Sequence, residues 1–188
     1  MFRTVALALL MMSAAIIHAA DYKIDTDDAH AFVQFRIQHL GYSWLYGRFN
    51  QFEGSFSYSE KSPEKASANV TIDVTSLDSN HAERDKHLRG SDFFDVKKHP
   101  KATFVSKSYT PKDATHGVLV GTLTLKGISK DISIDVEQVG HGPDPWGGVR
   151  RGFTGKAEIT LKDLGFTVDL GPASAKAEIL IDVEGVRR

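Results

Sequence analysis

Apolar residues recur at every second position over most of this chain. Val33, Phe35 and Ile37 alternate with Gln34, Arg36 and Gln38. Phe52, Gly54, Phe56 and Tyr58 alternate with Glu53, Ser55 and Ser57, and Ala68, Val70, Ile72 and Val74 with Asn69, Thr71 and Asp73. The same spacing runs through residues 119–125, 131–137, 155–162 and 177–184. A two-residue period sends successive side chains to opposite faces of a strand, so each stretch reads as a strand with one apolar and one wet face. Segments 22–25 and 102–107 bring the expected total to eight or nine strands. Several links are short, and Lys126-Gly127-Ile128-Ser129 reads as a hairpin turn. Sequential antiparallel strands of this kind close as an up-and-down barrel or pack as a sandwich.

One excursion breaks the period. Asn80 is placed to cap a helix, with Glu83 three residues on to complete a capping box. That helix is expected to run to about Arg89 and stop at Gly90, with Phe93 and Phe94 beyond it. A long loop is expected over residues 141–148.

The first twenty residues have a different character. Arg3 is their only charge, an apolar run spans residues 5–17, and Ala19 and Ala20 follow. This is the pattern of a secretory leader that is removed, with cleavage after Ala19 or Ala20, leaving residues 21–188 as one domain. The three methionines lie in that leader and the chain has no cysteine. Disulfides, thiol nucleophiles and thioether metal sites are thereby excluded from the exported part. The formal net charge of −1 argues against nucleic acid, whose affinity rests on clustered cations. No apolar run is long enough for a membrane-spanning helix.

Candidate chemistry is sparse. Seven histidines follow the leader without a metal-ligand spacing; His81 and His87, six apart, face different sides of a helix. These histidines read as solvated or singly hydrogen-bonded, with no metal site or cofactor expected, and a metal cluster built across strands is the alternative. No dinucleotide fingerprint, phosphate loop or nucleophile elbow is present. The charged helix has two readings. It is a solvated face with a local Glu83–His87 pair, or it is a polar gate at which Arg84 or Arg89 meets an anionic head group. Tyr42, Trp44 and Tyr46 stand beside glycines in a segment that reads as a loop. They pack in the core or line a pocket entrance.

Ordered blocks then point to a family. Phe35-x3-His39-x-Gly41 is followed by Gly47-x-Phe49-x2-Phe52-x-Gly54, by the continuous stretch Asn80-His81-Ala82-Glu83-Arg84-Asp85-Lys86-His87-Leu88-Arg89, and by Phe93-Phe94-Asp95-Val96. Pro100-x-Ala102-Thr103-Phe104, Leu123-Thr-Leu-Lys-Gly127, Asp144-Pro-Trp-Gly-Gly148 and Asp169-Leu-Gly-Pro-Ala-Ser174 complete the series. In these blocks the chain resembles the YceI-like family of exported proteins, in its enterobacterial periplasmic branch. The resemblance implies an all-β fold: a lipocalin-like antiparallel up-and-down β-barrel of about eight strands, with one short helical excursion at the barrel mouth. It implies periplasmic binding rather than catalysis, often as a homodimer. The cavity ligand would be a polyisoprenoid such as a quinone tail or polyprenyl phosphate, or a fatty amide or acid. No catalytic residue carries over.

On that reading Phe35, Ile37, Phe52, Phe56, Val70, Ile72, Leu123, Ile134 and Ile159 line the tunnel. His39, Arg84 and His87 stand at its mouth, with Leu88 and Phe94 capping it. The rivals are an exported enzyme acting on a lipid-like substrate through cross-strand His and Asp, an outer-membrane barrel, and a barrel filled by its own side chains.

Overall fold

The computed structural model describes residues 19–28 and 30–188, so the leader expectation lies, except for its last two residues, outside the described residues. Eleven strand segments form one sheet. They are β1 (Ala20–Ile24), β2 (Ala31–His39), β3 (Ser43–Phe49), β4 (Phe52–Tyr58), β5 (Ser67–Asp73), β6 (Leu77–Asp78), β7 (Lys101–Pro111), β8 (His116–Leu125), β9 (Ile128–Pro143), β10 (Val149–Thr160) and β11 (Lys176–Arg187).

The pairing reduces eleven segments to eight strands. β11 pairs along one edge with β2 through residues 177–183 and with β1 through residues 185–187. β1 and β2 are therefore two halves of one bent strand. β3 and β4 pair back onto them in turn, and β5 and β6 onto β4 and β3. Counted this way, eight antiparallel strands meander in chain order, and the last closes on the first. Closure removes the free edges that an open sheet would expose.

The alternation read from sequence sorts inside from outside. Phe35, Phe104, Leu123, Ile134 and Ile159 are buried. Outward positions carry cross-strand ion pairs instead: Lys107–Asp131 at 2.7 Å, Lys112–Asp135 at 2.9 Å and Lys156–Glu178 at 2.8 Å. A membrane barrel has the reverse arrangement, with an apolar band outside. No helix among the described residues is long and apolar enough to cross a membrane.

Three sequence expectations need correction. The loop expected over residues 141–148 is shorter, because β9 continues to Pro143 and pairs there with β10, leaving residues 144–148 as the turn. β3 is a strand, not a loop. Its Trp44 and Tyr46 face outward, where Trp44 lies under Arg36 at 4.3 Å and Tyr46 accepts from Arg36 at 3.3 Å. Tyr42, in the β2–β3 turn, is 87% exposed. None of the three packs in the core or lines the cavity.

The helix α1 (Ala82–Leu88) is capped by His81, not Asn80. His81 Nδ1 accepts from the Arg84 N–H at 3.2 Å, while Asn80 sits at φ 62° as part of the turn into the helix. The reach-back expected of Glu83 is made by Asp85, whose carboxylate accepts from the Ser79 N–H at 2.8 Å and from its hydroxyl at 2.5 Å.

Candidate functional site

Between the sheet and α1 the barrel holds a cavity of about 710 Å³. Its wall is almost wholly apolar, with side chains from every barrel strand. The polar groups on it, among them Gln38, His39, Arg84, His87, Asp169 and Ser174, come from the mouth end. This distribution follows from topology. His39 ends β2, α1 spans the gap between β6 and β7, and residues 161–175 link β10 to β11 at the same end. The rival reading of a barrel filled by its own side chains does not hold.

Of the fourteen residues expected at the site, thirteen lie on this wall: Phe35, Ile37, His39, Phe52, Val70, Ile72, Arg84, His87, Leu88, Phe94, Leu123, Ile134 and Ile159. Phe56 does not. β4 runs away from the mouth, and Phe56 lies near its far end, where the ring stacks on Tyr22 at 4.9 Å. There it walls a separate, smaller hollow.

Sequence reasoning missed Leu45 and Phe49 on β3, because that segment read as a loop. It also left out Ile179, Ile181 and Val183, although their alternation marked them as inward, and Phe104 on the segment expected as a strand over 102–107. Phe166 and Leu170 sit in irregular chain with no periodicity to reveal them.

The mouth is built from aromatics below and polar groups above. Phe94 drops into the barrel, 5.8 Å from Phe49 and 5.2 Å from Phe166, both edge-on. His87 stands edge-on to Phe93 at 5.0 Å and pairs loosely with Asp92 at 3.7 Å; this pair replaces the expected one with Glu83. Arg84 reaches the cavity wall while its guanidinium donates to the Ser79 hydroxyl at 2.8 Å and carbonyl at 2.5 Å. Arg89 is turned away from the mouth and donates to the carbonyls of Thr75 and Leu77. Of the two arginines weighed for head-group contact, only Arg84 is placed for it, with donors that remain beyond those used on Ser79.

A charged cluster sits on the outer side of the far end, where neither Arg150 nor its partners line the cavity. Arg150 donates to Asp25 and Glu184 at 2.5 Å and to Asp144 at 2.9 Å. Burial alone would raise the Asp25 carboxyl. The hydrogen bonds from Arg150, His30 and the Asp28 amide outweigh it and hold the group below the usual carboxylate range. Asp25, Asp28 and His30 lie close enough to share an ion, but Asp25 is already committed to Arg150. These groups stand outside the cavity and serve the fold.

The YceI-like domain model matches residues 22–186. Protein YceI of Escherichia coli O157:H7 is 52% identical over 181 residues, covering 96% of this chain and 94% of that one. A solved YceI protein of Campylobacter jejuni superposes with a TM-score of 0.74 at 32% identity, over 81% of this chain and 90% of its own. A polyisoprenoid binding domain from Saccharophagus degradans shares the fold at 16% identity, with a TM-score of 0.63 over 91% of this chain and all of its own. A domain match that begins and ends within the closed barrel, together with half the residues shared along nearly the full length, settles the lineage: the chain belongs to the YceI-like family.

Proposed function

We propose that this protein is an exported, periplasmic carrier that holds one long apolar chain in its barrel, a polyprenyl tail in the first instance, with its polar head at the mouth beside His39, Arg84 and His87. The observation that carries the reading is the hollow itself: about 710 Å³ of apolar-walled space, with polar side chains gathered at one end. Each methylene moved from water into such a space contributes about 0.8 kcal/mol, whereas one head-group hydrogen bond nets about 1 kcal/mol. The tail therefore dominates affinity, and the mouth sets orientation. The polyisoprenoid binding of the Saccharophagus degradans domain, which shares the fold, agrees with this choice of ligand class.

The arrangement favours holding over transforming. The titratable cluster around Arg150 is outside the cavity and satisfied by its own partners. The test is organic extraction of protein purified from the native periplasm, followed by mass spectrometry. A prenyl lipid recovered near one per chain supports the proposal. Protein that emerges free of any long-chain lipid would refute it.

A further inference from the structure

The main cavity stops short of the far end of the barrel, and a second hollow of about 120 Å³ continues in the same direction. Six side chains, Ile24, Val70, Phe104, Ile134, Ile181 and Val183, face both spaces and form a collar between them. Beyond the collar the chamber is bounded by an aromatic floor. Phe56 meets Phe153 edge-on at 5.4 Å, and Phe153 lies 5.5 Å from Tyr58.

This floor is braced from behind. Arg151, 5% exposed, places its guanidinium 4.6 Å from the centre of the Tyr58 ring and 5.9 Å from that of Tyr22, and donates to Glu60 at 2.9 Å. Phe56 is pinned between Tyr22 and Gly185, where even a Cβ would come within 2.5 Å of its ring.

We propose that the distal chamber receives the terminal units of the bound chain, and that the Phe56–Phe153–Tyr58 floor sets the longest chain the protein holds fully enclosed. This rests on the carrier reading above and adds length selection to it. An apolar hollow has too few polar partners to hold water well, so its natural filling is the end of the chain already lying in the main cavity. Affinity rises with each unit that passes the collar. It stops rising once the floor is met, because further units remain in water at the mouth.

The experiment titrates lipid-stripped mature protein with farnesol, geranylgeraniol and solanesol, in order of increasing length. Ala68 walls the distal chamber and not the main cavity. In Ala68→Leu the added side chain fills the chamber. Affinity for solanesol is expected to fall about tenfold or more, with farnesol changed by less than about twofold. Phe153→Ala lowers the floor and is expected to shift preference toward solanesol. Thermal melting establishes that each variant is folded, and Ala68→Leu alone decides the matter if Phe153→Ala does not fold. A length profile for Ala68→Leu that runs parallel to wild type overturns the chamber proposal and leaves the carrier reading standing. Wild-type protein that binds none of the three alcohols overturns both.

Discussion

Gly47 faces Phe35 across the β2–β3 ladder, and a Cβ at Gly47 would lie 2.2 Å from the Phe35 ring. The aromatic occupies the space that the glycine leaves, which keeps Phe35 flat against the cavity wall. Gly47→Ala is expected to destabilise by about 1–3 kcal/mol, the usual range for overpacking, read as a lower urea midpoint at unchanged slope. A midpoint equal to wild type would show that the ring swings aside freely. Such pairings mark the limit of reading at this scale. Sequence showed that Phe35 points inward, but only the register shows which glycine it covers. It showed a cap before α1, but not that a left-handed Asn80 passes the role to His81 and leaves the backbone of Ser79 to Asp85.

Most strands were legible as elements because burial is one-sided and the apolar period is two. β3 was not, and its own side chains explain why. Its inward set is Leu45, Gly47 and Phe49, with a glycine where an apolar side chain would signal the face. Its outward set carries the conspicuous Trp44 and Tyr46. Period alone assigns the wrong face to such a strand. Because Trp44 acts from outside, over Arg36, Trp44→Ala is expected to cost no more than about 1 kcal/mol and to leave bound lipid unchanged. Loss of lipid from that variant would place the indole at the cavity after all.

The bend between β1 and β2 was likewise hidden. Six residues intervene, and Asp25 anchors the bend to Arg150 on β10 and, through Arg150, to Glu184 on β11. The Asp25 carboxyl is lowered in the folded state relative to an unfolded value of about 3.9. Its contribution is therefore fully present above that value and is lost as pH falls through the lower folded one. Asp25→Asn is expected to cost about 1–3 kcal/mol at neutral pH, with the deficit relative to wild type shrinking below about pH 4. Urea midpoints taken across that window check it; a deficit that stays constant into acid would mean the bend is not held by this charge.

For the whole molecule, the hollow links ligand to fold. Closure of eight strands around a space that their side chains leave open makes the folded state the only one with a binding site, so an apolar chain bound there stabilises the fold by mass action. At one hundred times the dissociation constant the gain is about 2.7 kcal/mol, which for a chain of this size raises the melting temperature by about 5–10 °C. Ile134 is 5% exposed and faces both the main cavity and the distal chamber, so Ile134→Trp places an indole where the chain must run. The variant is expected to purify without lipid, to melt near the temperature of lipid-stripped wild type, and to show no shift when solanesol is added. Stripped wild type should recover its full melting temperature under the same addition. Lipid retained by Ile134→Trp at the wild-type level would mean that the bound chain lies elsewhere on the protein. Absence of a shift in wild type would mean that the hollow is not a site for a prenyl chain. The two outcomes are separable because the first tests where the ligand sits and the second tests whether occupancy supports the barrel.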